Sequence, residues 1–320
     1  MARSHKRRGW VLRGGCLVIA RLFYTCSSGD EPHGVASIFR PRAEAVKPAV
    51  DHYAVCGNPV GHSLSPRIHA AFAASTGQMM RYDRLLIPDG GFVPTIEVFF
   101  NQGGKGLNVT LPCKSDAFAW LGEARCATSA IEARAVNTIR WDGEEFWGFN
   151  TDGTGLLRDL TFHGICVADR RLLILGAGGA ARGVLPELLS AKPALITLAN
   201  RNMARAEEVV RDFRQRYSTP LEAVELSKVS PDFDLIINAT SAALTASSRP
   251  DIDPAIIQTA DCYDMVYGAN ARFHHWARDI TRGKSLDGLG MLIEQAAEAF
   301  SIWRGVRPET ISVRNLLIQA

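Results

Sequence analysis

Lys114 stands just past Pro112-Cys113, where a helix would begin, and a helix N-terminus disfavours a cation unless a local anion compensates it. The anion that could do so is Asp152, in the polar, glycine-containing turn Asn150-Thr151-Asp152-Gly153, which has no evident structural need of a carboxylate. A Lys–Asp pair in a cleft can position a substrate hydroxyl and relay its proton while hydride leaves the adjacent carbon. Burial lowers a lysine's pKa and a carboxylate raises it, so the two influences oppose one another. Read alone, a lysine such as Lys114 is more often a surface charge than a catalyst. Nearer the N-terminus, Ser63-Leu64-Ser65-Pro66 spaces two hydroxyls by two residues; in an extended segment both face one side and can donate to one carboxylate. The other reading is that they only cap a helix starting at Pro66.

A second chemistry resides in Leu172-Leu173-Ile174-Leu175-Gly176-Ala177-Gly178-Gly179-Ala180-Ala181, a buried strand running into a glycine-rich turn that opens a helix. Such a turn permits close backbone approach, and the helix N-terminus offers free N–H groups to a pyrophosphate. Ala181 stands where the third glycine of the usual fingerprint would be, so a purely structural turn stays open. At the end of the next strand, where NAD enzymes carry Asp or Glu for the ribose hydroxyls, this chain has Asn200-Arg201-Asn202, with Arg205 one turn later. Guanidinium groups bind phosphate bidentately, which fits the 2′-phosphate of NADP. Alternatively Arg201 and Arg205 belong to a solvated helix start and pair with Glu207 or Glu208.

The elements that must hold these residues alternate. Strand Tyr53–Cys56 precedes a helix from Pro66, and strand Gly106–Thr110 precedes a helix beyond Pro112. From Arg171 the order is strand Leu172–Leu175, helix to Ser190, strand Leu195–Ala199, helix Met203–Tyr217 and strand Phe233–Asn238, one doubly wound nucleotide-binding unit. Alternation of this kind implies an α/β fold with parallel sheets. Leu289–Trp303 has apolar residues at helical spacing and is expected to fold back onto the first domain. The expected domains are a basic tail over 1–48, a substrate-binding catalytic domain over 49–154 plus 289–320, and a Rossmann-type NADP-binding domain over 155–288.

With 320 residues, 47% hydrophobic and 22% charged, the chain has the composition of an ordinary two-domain globular protein. Its net charge of +3 is concentrated in residues 1–48, which hold nine Lys/Arg against three Asp/Glu, so the remainder is slightly acidic and offers no basic face for nucleic acid. The tail reads as flexible or as an upstream-extended start, and its short apolar stretch is broken by Arg13, against a secretory signal. Seven cysteines without a CxxC pair read as reduced thiols in the cytoplasm, and no run is long and apolar enough to span a membrane. No metal site is expected.

From about Tyr53 to Arg307 the chain resembles shikimate dehydrogenases, with the motifs in that family's order. They are Gly57-Asn58-Pro59, Ser63-Leu64-Ser65-Pro66, Asn108-Val109-Thr110-Leu111-Pro112 with Lys114, Ala135-Val136-Asn137-Thr138, and Asn150-Thr151-Asp152-Gly153. The second half adds Gly176-Ala177-Gly178-Gly179-Ala180, Asn200-Arg201, Ile237-Asn238-Ala239-Thr240-Ser241, Tyr263-Asp264-Met265-Val266-Tyr267, and Asp287-Gly288-Leu289-Gly290-Met291-Leu292 with Gln295.

The resemblance implies reversible NADPH-dependent reduction of 3-dehydroshikimate to shikimate, on the route to chorismate and the aromatic amino acids. It implies Lys114 and Asp152 as the catalytic pair and Ser63 and Ser65 on the substrate carboxylate. Thr110, Asn137, Tyr267 and Gln295 would surround the ring hydroxyls. Gly176, Ala177, Gly178, Gly179 and Ala180 with Asn200, Arg201, Asn202 and Arg205 would hold the cofactor, and Met265 and Gly288 would flank the nicotinamide. Departures from the family pattern are Asn202 for Thr, Arg134 for Gly, Ala242-Ala243 after Thr240-Ser241, and Arg272 and His274 for Thr-Pro. Asn202 and Ala243 bear on cofactor preference rather than on the proton-transfer pair.

Two other readings are carried. A quinate/shikimate dehydrogenase would accept one more hydroxyl and use NAD; the serine pair with Arg201 and Arg205 speaks against it. A catalytically silent ligand sensor would have no need of both Lys114 and Asp152. The expected assembly is a monomer or homodimer with a small-molecule substrate, without nucleic acid or membrane.

Overall fold

The computed structural model describes residues 50–240 and 252–318, so the tail and the Ser241, Ala242 and Ala243 positions lie outside the described residues. Strands of these residues form two sheets. The first is built from β1 (Asp51–Gly57), β2 (Met80–Leu86), β3 (Gly104–Val109), β4 (Thr138–Trp141) and β5 (Phe146–Phe149), in the order β2-β1-β3-β4-β5. β1, β2 and β3 are parallel, but β4 runs antiparallel to β3 and β5 antiparallel to β4. The expectation of purely parallel sheets is thereby corrected. The hairpin turns at Gly143 (φ 109°), and Asp142 Oδ1 accepts the N–H groups of Glu144 and Glu145. Two four-residue strands joined this tightly leave too short a pattern to read against the neighbouring loops.

The second sheet is wholly parallel. Its strands are β6 (Arg171–Leu175), β7 (Leu195–Asn200), β8 (Leu221–Glu225), β9 (Leu235–Asn238), β10 (Asp261–Asp264) and β11 (Ser285–Leu286), in the order β11-β10-β9-β6-β7-β8. Along β6, Leu172 and Ile174 enter one apolar core while Leu173 and Leu175 enter another on the opposite face. Both faces are thus covered, which is why the strand reads as an unbroken apolar run. The chain leaves β6 for β7 on one side and returns to β9 on the other. That reversal opens a crevice at the strands' carboxyl ends, the usual place for a ligand in such sheets.

Helices α1 (Ser65–Thr76), α2 (Phe92–Asn101), α3 (Lys114–Leu121) and α4 (Thr128–Ala133) accompany the first sheet; α6 (Gly179–Ser190), α7 (Met203–Arg214) and α8 (Arg272–Arg278) accompany the second. Between them runs α5 (Asp152–Phe162), so Asp152 begins a helix rather than sitting in a free turn, and the expected boundary after residue 154 falls inside that helix. Helix α7 stops at Arg214 instead of Tyr217, and β9 starts at Leu235 instead of Phe233.

The C-terminal helices α9 (Leu289–Arg304) and α10 (Ile311–Ile318) return to the first sheet. Ile293, Ala297 and Phe300 of α9 and Val313 of α10 form one core with Ile68 and Phe72 of α1. Trp303 Nε1 donates to the Ile139 carbonyl at 2.9 Å, over Gly106, where a Cβ would stand 2.4 Å from that nitrogen. Glycines also let α5 and α9 touch: a Cβ on Gly155 would come within 2.7 Å of Gln295 Cβ. Arg314 of α10 is buried between Asp159 of α5 (2.6 Å) and Glu294 of α9 (2.9 Å), a paired charge that ties the end of the chain into the packing. Among the described residues no helix is long and apolar enough to cross a membrane, no group of side chains could hold a metal, and the five cysteines are free.

Candidate active site

Lys114 opens α3 and Asp152 opens α5, so the two helices present their first turns to each other. Lys114 Nζ donates to Asp152 Oδ2 at 2.6 Å, with the aspartate side chain 8% exposed and the lysine 21%. The helix N-terminus favours the carboxylate there, and the carboxylate offsets the cation that the α3 N-terminus opposes. Asn137, fully enclosed beside β4, donates through Nδ2 to Asp152 Oδ1 at 2.8 Å and accepts the Thr151 N–H at Oδ1 (2.9 Å). Thr151 Oγ in turn lies 3.3 Å from Gln295 Oε1 on α9. Lys114, Asp152, Asn137 and Gln295 therefore meet in one hydrogen-bonded cluster drawn from four separate segments.

The serine turn forms a second cluster. Ser63 Oγ donates to Ser65 Oγ at 3.1 Å and accepts the Ser65 N–H at 3.2 Å. The segment is not extended as the sequence reading assumes, because Leu64 between them has a helical backbone (φ −82°, ψ −8°). The hydroxyls converge through this turn, so Ser63 also holds the first N–H of α1. Tyr267, past the end of β10, brings its hydroxyl to the Leu64 backbone, and burial pushes its pKa up. Thr110 directly follows β3, its N–H bonded to Cys56 O at 2.9 Å and its methyl so near Gly57 that a Cβ there would stand 2.5 Å away.

Residues outside the expected set join the two clusters. Tyr82 on β2 donates to Asn108 Oδ1 at 2.7 Å, Asn108 Nδ2 donates to Thr138 Oγ at 3.1 Å, and Thr138 donates to Asn137 Oδ1 at 3.0 Å. Burial raises the Tyr82 hydroxyl well above its usual pKa, and the Ser65 hydroxyl bonded to it works in the opposite direction. His69 stacks on the Tyr82 ring (4.2 Å, 9°), and burial pushes its pKa down to about 3, with Asn108 working in the opposite direction. The Asn108 and Thr138 motifs were visible in the sequence. Tyr82 was not, because an edge strand 26 residues away carries no local signal of the pairing.

At the second sheet, Gly176 takes φ 105°, and α6 begins directly after Gly178 with no side chain capping its N-terminal N–H groups. A Cβ on Gly179 would meet nothing within 4 Å, and one on Gly178 only Arg205 Nη2 at 3.8 Å, so the Gly176-Ala177-Gly178-Gly179-Ala180 turn is an open cradle with a guanidinium at its rim. Arg201 and Arg205 are exposed and form no ion pair among the described residues; Glu208 pairs with Arg182 instead, so the alternative pairing is not formed. Asn200 Nδ2 donates to the Asn202 carbonyl at 2.8 Å, and Asn202 Oδ1 accepts the Arg205 N–H at 3.2 Å, capping α7. Met265 donates its N–H to Asn238 O at 3.0 Å, and Gly288 lies so tightly against it that a Cβ would stand 2.4 Å from the Met265 carbonyl. One turn into α6, a Cβ on Gly183 would lie 3.1 Å from Asp152 Oδ2. The glycine turn and the Lys–Asp pair are thus one helical turn apart.

The departures also find places. Arg134 ends α4 at φ 50°, where glycine is unstrained, and its guanidinium lies 3.5 Å from Asp212. Arg272 begins α8, and His274 donates its N–H to Asp264 Oδ2 at 3.2 Å while its ring meets Ser285 Oγ at 3.0 Å.

Three family models match the chain: the shikimate dehydrogenase substrate binding domain over residues 55–139, shikimate/quinate 5-dehydrogenase over 161–264, and the shikimate 5′-dehydrogenase C-terminal domain over 288–317. A shikimate dehydrogenase (NADP+) of Alkalilimnicola ehrlichii is 49% identical over 265 residues, covering 82% of this chain and 97% of that protein. Among solved structures, an Ael1 enzyme from Pseudomonas putida superposes with TM-score 0.76 at 39% identity, over 83% of this chain and 98% of that one. Shikimate 5-dehydrogenase from Thermus thermophilus, solved with NADP(H) and shikimate, gives TM-score 0.71 at 29% identity, over 84% and 99%.

Proposed function

Because the chain belongs to the shikimate dehydrogenase family, we propose that it catalyses the reversible NADPH-dependent reduction of 3-dehydroshikimate to shikimate. The observation that carries this reading is the 2.6 Å Lys114–Asp152 pair, one helical turn from a glycine cradle with two unpaired arginines at its edge. Among the described residues, those from β1 to β5 with α9 and α10 form the substrate half and those from β6 to β11 the nucleotide half, with α5 bridging them.

The cradle suits NADP. The uncapped N–H groups of α6 and the open space over Gly178 and Gly179 accept the pyrophosphate, Arg201 and Arg205 the 2′-phosphate, and Met265 and Gly288 flank the nicotinamide. When bound, the dinucleotide supplies hydride to the carbonyl carbon. Lys114 supplies the proton to the oxygen of that carbonyl in reduction and takes it back in oxidation. Asp152 holds the ammonium in place, and Asn137 holds Asp152. Ser63 and Ser65 receive the carboxylate, while Thr110, Asn137, Tyr267 and Gln295 address the ring hydroxyls. The protein acts in the cytoplasm as a monomer or homodimer. The unpaired Arg201 and Arg205 favour NADP over NAD, and the intact Lys–Asp pair disfavours a silent sensor.

Absorbance at 340 nm with shikimate or quinate, each with NADP or NAD, tests the reading. Strong turnover is expected with shikimate and NADP alone. Turnover with quinate or NAD moves the chain to the dual-specificity relatives, and none in any combination makes the silent ligand sensor the leading reading.

A further inference from the structure

Arg84 is a cation that none of these roles uses. It lies on β2 two residues after Tyr82, hence on the same face of the sheet and one step nearer the site end of the strand. Its Nε and Nη2 donate to the Ser63 carbonyl at 3.2 and 2.7 Å. Its neighbour Arg81 is paired with Asp83 and Lys114 with Asp152, but Arg84 forms no ion pair among the described residues. Its partner is a neutral carbonyl, so the positive charge is not neutralised by an acid and stands at the backbone of the serine turn.

We propose that Arg84 makes the site select a carboxylate: it clamps the Ser63–Ser65 turn by its backbone and supplies the uncompensated positive charge that the substrate's anionic group meets there. This rests on the assignment of Ser63 and Ser65 to that group. Two hydroxyls donate more strongly to a carboxylate than to an ester, but they carry no charge of their own to set the two ligands further apart. A guanidinium behind them separates the two ligands by charge. Arg84 is exposed, so its field is screened by water and salt, and its effect is moderate and salt-dependent.

The test uses full-length protein with shikimate and its methyl ester, measuring dissociation constants by calorimetry alongside KM and kcat. Arg84→Ala is expected to raise the shikimate dissociation constant and KM about tenfold, leave the ester nearly unchanged, and keep kcat and the KM for NADP within about twofold. Arg84→Lys recovers most of the loss. The fall of kcat/KM with salt expected for shikimate should flatten in Arg84→Ala. Arg67→Ala, which removes an equal, exposed charge from α1 with no bond to the turn, changes affinity less than about twofold. Equal loss for acid and ester reduces Arg84 to a brace of the turn. Unchanged shikimate affinity in Arg84→Ala, or an equal loss in Arg67→Ala, overturns the inference. Ser63→Ala and Ser65→Ala separate the two assumptions: if neither weakens shikimate, the serine assignment fails whatever Arg84 does.

Discussion

Lys114 and Asp152 meet among polar atoms that are already bonded: Asn137 reaches Asp152 at 2.8 Å, Thr138 and Thr151 hold Asn137, and Tyr82 and Asn108 extend the chain toward the serine turn. Arg201 and Arg205, at the nucleotide end, are exposed and meet no acidic group among the described residues. The first region is assembled before any ligand arrives, so in the role proposed for it the geometry would need no reorganisation during the reaction. The second leaves its charges open, so its interactions are completed by what binds. Loss of a member from the first should therefore appear in turnover, and from the second in affinity.

Lys114→Ala breaks the comparison hardest. Removing the group proposed to transfer the proton is expected to lower kcat by at least ~100-fold, with a much smaller change in NADP affinity. Single-turnover rates and NADPH binding on the same preparation check it. Near-normal turnover takes Lys114 out of the mechanism, and an equal fall in cofactor affinity denies that the two regions are separable.

The predictability of each region from sequence follows its construction. The nucleotide end is local: strand, glycine turn and helix are consecutive, and Arg201 follows the next strand, so linear order almost suffices to place them. The Lys114–Asp152 end is assembled from four segments, and only its short polar motifs were legible. Its supports were not. Tyr82 meets Asn108 only through the β1–β2–β3 arrangement, and the β4–β5 hairpin that presents Asn137 is too short for a periodic signal. The serine pair was found for a partly wrong reason, since Leu64 is helical and the hydroxyls meet through a turn.

Arg201→Ala sharpens the other side. Charge-assisted bonds to a phosphate contribute about 1.5–3 kcal/mol, so NADPH should bind roughly 10–100-fold more weakly while NADH changes little. Fluorescence titration with both dinucleotides reads this directly. Equal weakening of the two makes Arg201 a structural residue and removes the argument for NADP from this position.

Asn202 is the smallest and most discriminating case, because it lies among the open charges yet has a bonded role. Its Oδ1 accepts the Arg205 N–H at 3.2 Å, the geometry of a helix cap on α7, and asparagine caps at least as well as the threonine common in the family. If capping is its task, Asn202→Ala costs about 1 kcal/mol of stability and lowers the melting temperature by about 2–4 °C, with Asn202→Thr restoring most of it. NADPH affinity should then fall only as far as the frayed helix end displaces Arg205, about twofold or less, on the scale of a few tenths of a kcal/mol for indirect effects. A loss above about tenfold with the melting temperature unchanged would give the opposite assignment. Asn202 would then touch the nucleotide itself, and the open region would hold a residue oriented in advance for its ligand, as the Lys114–Asp152 end does.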